Sequence, residues 1–113
     1  MTNKELKEKL SLEVINESDS SLEITGGYVG DLLSWVMGRA KNGDVWITIM
    51  TNLNILAVAS LSDVSCVLIA ENSEITEEVI NMAKEKQINI YRSGKSAFEL
   101  CGEINKLFKN QLI

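Results

Sequence analysis

The residues of this chain best placed for chemistry are small or polar. Thr25, Gly26 and Gly27 form a glycine turn, with Asp31 shortly after, and Thr51, Asn52 and Asn54 interrupt an uncharged stretch. Glycine lets backbone approach a ligand closely and present its N–H groups. Thr and Asn donate and accept hydrogen bonds but do not titrate near neutral pH. Together these residues can make a ligand-binding edge without acid–base equipment, Asp31 being the one carboxylate among them. Structural readings stand beside the functional one. The glycines could relieve crowding where a strand meets a helix, and Thr51 and Asn52 could simply cap a helix.

Other constellations offer less. Gly94-Lys95-Ser96 falls between a strand and a helix, as a phosphate loop would, but the pattern needs a further glycine where Asn89 stands. A strand-to-helix turn with a capping box is the better reading. Glu71, Glu74, Glu77 and Glu78 read as solvated charge on a surface turn and helix start. Trp35 and Trp46 read as core or interface anchors. The chain has no histidine, which excludes a Ser–His–Asp triad, a Cys–His pair and imidazole metal ligation. Its two cysteines, Cys66 and Cys101, fall on apolar faces as buried free thiols of a reducing cytoplasm. No metal or cofactor is called for. The formal net charge of -5 argues against a nucleic-acid partner.

The elements that must position these residues follow from patterning. The 113 residues, 45% hydrophobic and 24% charged, suit one globular domain, 1–113. Val45–Met50 is β-branched and aromatic, a buried strand. Asn54–Leu61 is Ala- and Leu-rich, a buried helix. In open α/β sheets ligands gather beyond the carboxyl ends of strands, which directs attention to Thr51 and Asn52. The uncharged stretch Val45–Ser62 is short for a membrane span and carries Thr48, Thr51, Asn52 and Asn54, so no membrane association is expected. The charged N-terminus lacks a signal-peptide core, which points to a cytoplasmic protein.

Before the central unit, Thr2 or Asn3 caps a helix carrying Leu6 and Leu10, Leu12–Ile15 is a first strand, and Leu22–Tyr28 a second. Asp31 is the expected N-cap of a helix whose Leu32, Leu33, Trp35, Val36 and Met37 cover most of its circumference. Such a helix must be buried on more than one side, and a second protein surface could supply the cover. Gly38 and Gly43 bracket the basic turn that ends it. Cys66–Ala70 is a continuous apolar run, the mark of a strand covered on both faces and of a largely parallel sheet. Thr76–Lys86 is a helix burying Val79, Ile80, Met82 and Ala83. Ile88–Tyr91 is a strand, and Ser96-x-x-Glu99 is a capping box opening the last helix. The β-α order from Val45 onward predicts an α/β sandwich.

The run TGGYVGDLLSWVMGRAKNGDVWITIMTNLNILAVASLSDVSCVLIAE resembles the DRTGG domain, a module that accompanies phosphotransacetylases and regulatory pyrophosphatases, and is similar in outline to the N-terminal domain of HPr kinase/phosphorylase. Thr25, Gly26 and Gly27 match the second half of the name-giving motif. The Asp-Arg half is absent, with Asp19-Ser20 nearest, and Asn52 stands near a position where small relatives carry His. The resemblance implies a single-domain three-layer α/β sandwich with a mainly parallel sheet. It also implies a homodimer serving as a non-catalytic regulatory, sensory or protein-interaction module, with single-domain relatives found in anaerobic energy and hydrogen metabolism. The alternative is a nucleotide- or phosphometabolite-binding domain that uses the glycine turn (Thr25, Gly26, Gly27, Asp31) and the helix start at Thr51, Asn52 and Asn54.

Overall fold

The computed structural model describes residues 1–111. The chain runs α1 (Asn3–Lys9), β1 (Glu13–Asn16), β2 (Gly26–Val29), α2 (Leu33–Arg39), β3 (Asp44–Thr48), α3 (Asn54–Ser62), β4 (Cys66–Ile69), α4 (Glu77–Lys86), β5 (Ile90–Arg92) and α5 (Ala97–Gln111). The five strands form one sheet in the order β1-β5-β4-β3-β2. Strands β2 to β5 are parallel, and β1 joins β5 antiparallel. The mainly parallel three-layer sandwich expected from the sequence is the fold observed.

The layers follow from strand alternation. Val45, Ile47, Cys66, Leu68 and Tyr91 point to one face and pack with Leu6 and Leu10 beside α1 and with Leu100 and Ile104 of α5. Trp46, Val67, Ile69 and Ile90 point to the other face and pack with Val36 of α2, Ile55, Leu56, Val58 and Ala59 of α3, and Val79 and Ala83 of α4. Both β3 and β4 are buried along their whole length, which explains the unbroken apolar runs Val45–Ile47 and Cys66–Ile69. Because β2, β3, β4 and β5 step across the sheet in one direction, successive right-handed crossovers stack α2, α3 and α4 on a single face.

Local chemistry fixes the ends. Thr2 and Glu5 form a capping box on α1, Ser96 and Glu99 form one on α5, and Thr76 caps α4. Helices α3 and α4 end on left-handed residues, Asp63 and Gln87.

Several boundaries differ from the sequence reading. The second strand is confined to Gly26–Val29, because Leu22 and Glu23 run alongside α1, with an isolated bridge from Glu23 to Thr2. The central strand is Asp44–Thr48, ending before Ile49 and Met50 because Thr48 Oγ1 accepts the Met50 N–H and turns the chain. On α4, Val79 and Ala83 are buried while Ile80 and Met82 are only partly covered. Asp31 is not the N-cap of α2. Leu32 holds that position with no side-chain bond, because the Asp31 carboxylate turns instead to β3.

Candidate functional site

The residues expected to form one ligand edge lie at opposite ends of the sheet. Asp31 sits at the carboxyl end of β2, where its Oδ1 accepts hydrogen bonds from Thr48 Oγ1 at 2.8 Å and the Ile49 N–H at 3.0 Å. Thr51, Asn52 and Asn54 follow β3 at that same end. Asn52 Oδ1 accepts the Asn54 N–H at 2.9 Å, so Asn52 orders the chain entering α3, and Leu53 occupies the cap position. Thr25 and Gly26 lie at the amino end, and Gly27 lies within β2 opposite Val45.

A crevice at the carboxyl edge of an open α/β sheet opens where neighbouring connections diverge to opposite faces. Here that happens between β4, which leads to α4 on one face, and β5, which leads to α5 on the other. Among the described residues that place is knitted shut by backbone. Glu71 and Asn72, both left-handed with φ of 57° and 52°, donate their N–H groups to Lys95 O and Ser93 O at 2.9 Å each. Two consecutive non-glycine residues in that region form a constrained turn that the sequence did not signal.

The amino edge is filled at one end and open at the other. Under β4 and β5, Asn89 is buried. Its Oδ1 accepts the Ser18 and Asp19 N–H groups at 2.7 and 3.1 Å, and its Nδ2 donates to Asp19 O at 2.8 Å. Asn3 Nδ2 donates to Ser65 Oγ at 2.7 Å beside it. The residue that breaks the phosphate-loop pattern thus holds the 16–21 loop in place.

Under β2 and β3 the edge opens into a cleft of about 450 Å³ lined by Thr25, Gly26, Gly27, Tyr28, Arg39, Lys41, Asn42 and Asp44. Its floor is built by close approaches. A Cβ at Gly26 would lie 2.8 Å from Asp44 Oδ1, and one at Gly43 would lie 2.4 Å from Thr25 Oγ1. Gly43 also has φ of +86°, which an L side chain resists. Asp44 is buried, and its Oδ2 accepts the Lys41 N–H at 2.8 Å. The Arg39 guanidinium stacks over Trp35, 3.9 Å from the ring centroid. Among the described residues, neither Arg39 nor Lys41 has a carboxylate partner. Sequence reasoning read Arg39 and Lys41 only as part of a helix-ending turn. Their relation to Gly26 depends on the parallel pairing of Gly26 with Asp44.

Neither cysteine is an activated nucleophile. Both thiols are free, and burial pushes Cys66 strongly up and Cys101 up from the ordinary thiol value. Tyr91 is likewise pushed up, by burial first and then by its bond to Glu17. Glu17 lies below its ordinary value: burial raises it, but bonds from Lys7 and Tyr91 outweigh that. Among the described residues no group of His, Cys, Asp and Glu is arranged to hold a metal ion. Among the described residues no helix is long and apolar enough to cross a membrane.

The family model described as the DRTGG domain matches residues 5–107. No curated protein matches the chain. Among solved structures it is similar to the CBS and DRTGG domains of the regulatory region of Clostridium perfringens pyrophosphatase, complexed with its activator diadenosine tetraphosphate. The TM-score is 0.72 at 19% identity, over 88% of this chain and 44% of that one, so the chain spans less than half of its structural neighbour.

Proposed function

The chain belongs to the DRTGG domain family, and from that premise we propose that it is a regulatory module that works as a homodimer through the β2 edge rather than an enzyme. One observation carries the reading: β2 is an unprotected sheet edge set in an apolar surface. Gly26–Val29 has no charge and no proline, and soluble proteins rarely leave such an edge open. The opposite edge, β1, is blunted by a register break between Val14 and Asn16 and by the Glu13–Arg92 ion pair. Around β2, Val29, Leu32, Trp35 and Met37 are 46%, 61%, 55% and 49% exposed. Of the apolar circumference of α2 this chain buries Val36 and partly covers Leu33, and leaves the rest outward. A second copy, pairing β2 with β2 across a two-fold axis, would satisfy the free backbone and cover those side chains in one self-complementary contact.

Sedimentation at micromolar concentration tests this. The native protein is expected to run as a dimer and Trp35→Glu as a folded monomer. Phe98→Glu, at an exposed residue of α5, is expected to leave the dimer intact. A monomeric native protein would refute the dimer.

A second reading, ligand sensing, is favoured by the amino-edge cleft, which shares Gly26, Gly27 and Tyr28 with the β2 edge, so that ligand and second copy would meet at the same strand. The structural neighbour is a regulatory region that binds a nucleotide activator, and a small phosphorylated metabolite is the corresponding ligand proposed for this chain. Asp31, Thr51, Asn52 and Asn54 make the competing site at the carboxyl edge.

A further inference from the structure

We propose that the amino-edge cleft binds a metabolite bearing both a phosphoryl group and a hydroxyl donor. The phosphoryl group rests on Arg39 and Lys41, and the hydroxyl is held by Asp44. This rests on the ligand-sensing reading above and gives it residues and a ligand class.

The chain carries a formal charge of -5, so an anion meets a repulsive surface over most of the molecule. Among the described residues, other clefts are neutral or negative in their lining. Asp63 sits with Lys86 in one, Glu23 with Asp63 in a second, and Asp19 with Lys84 in a third. The amino-edge cleft sets two cations against one carboxylate. Among the described residues these cations have no ion-pair partner to surrender on binding. Arg39 is restrained by its stack on Trp35, which lowers the entropy lost when the guanidinium engages an anion. The glycine floor keeps side chains out of the cleft, and Asp44 Oδ1 lies directly against Gly26.

The carboxylate selects the ligand. A fully deprotonated anion such as sulfate gains from Arg39 and Lys41 but meets the Asp44 carboxylate with no proton to offer it. A ligand that also donates a hydroxyl turns that charge into a strong hydrogen-bond acceptor, as carboxylates do for ribose hydroxyls. Asp44 is already anchored through Oδ2 by the Lys41 N–H, so its other oxygen is held ready.

The test is titration of the full chain with inorganic sulfate, ribose 5-phosphate and ADP, followed by backbone amide NMR shifts. The two organic phosphates are expected to shift Gly26, Gly27, Lys41, Asn42 and Gly43, and to bind more tightly than sulfate, which has no hydroxyl to donate. ADP binding much tighter than ribose 5-phosphate identifies a nucleotide; equal binding identifies a sugar phosphate. Arg39→Gln and Lys41→Gln should each weaken binding about tenfold, and Lys84→Gln should not. Asp44→Asn keeps the acceptor for the Lys41 N–H. It should weaken ribose 5-phosphate while strengthening sulfate, a crossed response that a merely structural role would not produce. Shifts confined to Asp31, Thr51, Asn52 and Asn54 would overturn this site and leave ligand sensing standing. Absence of shifts with all three probes at millimolar concentration would overturn the assignment, whereas the ligand-free sedimentation experiment decides the regulatory dimer independently.

Discussion

Substituting Gly43 by alanine measures how tightly the amino edge is built. Gly43 has φ of +86°, and an added Cβ would lie 2.4 Å from Thr25 Oγ1. The turn cannot easily relax. The Gly43 N–H donates to Asp63 O at 3.1 Å, and its carbonyl accepts the Thr25 N–H at 3.0 Å. Holding an L residue in left-handed backbone costs about 1–2 kcal/mol. Relieving the contact by turning Thr25 away adds about 1 kcal/mol. Gly43→Ala should therefore destabilise by about 2–3 kcal/mol, but by only about 1–2 kcal/mol when Thr25 is also Ala. Thr25→Ala alone should change stability by less than about 0.5 kcal/mol, as for exposed sites. Among the described residues the Thr25 hydroxyl makes no hydrogen bond. Urea unfolding followed through the fully buried Trp46, at fixed protein concentration because a dimer makes stability concentration-dependent, gives the cycle. Equal costs in both backgrounds would refute the claimed contact and leave backbone strain as the whole effect.

Two further outcomes follow from the polar groups beneath the sheet. Asn89→Ala removes the acceptor for two loop N–H groups and the donor to Asp19 O. It should lower stability by about 3 kcal/mol in the same urea assay, and an unchanged midpoint would mean the 16–21 loop is held by other contacts. Acid should destabilise through Glu17, whose folded value lies below the ordinary 4.5. Its contribution is complete above the unfolded value and is lost as pH falls through the folded one. Glu17→Gln should therefore flatten the acid limb of stability against pH, and an acid limb unchanged in that variant would locate the effect elsewhere.

The core of the fold was legible because burial writes itself into composition. Strands covered on both faces are continuously apolar, and β3 and β4 read that way. The Ser96–Glu99 capping box was legible because a cap is local chemistry within four consecutive residues. Nonlocal pairing was not. No residue of β1 names β5 as its partner, and without the strand order the closure of the carboxyl edge beyond β4 and β5 could not be foreseen. Asp31 illustrates the same limit. Its position before α2 favours a cap, but parallel pairing brings Thr48 and the Ile49 N–H within reach, and two bonds at β3 replace one at the helix. Arg39 and Lys41 were visible as a basic turn, yet only the fold sets them beside Gly26 and Gly27.

The pairing of β1 with β5 also orders events in time. Each parallel neighbour in the sheet lies one helix away along the chain, but Glu13 meets Arg92 across most of its length. A chain growing from its amino end can lay β2, β3 and β4 side by side as they emerge. It cannot close the sheet until the segment at Ile90–Arg92 has been made. Until then the outer edge of β4 is bare and β1 has no partner. Such long-range contacts are the slow ones to form, so β1, made before its sheet partner, is among the last of these strands to find its place.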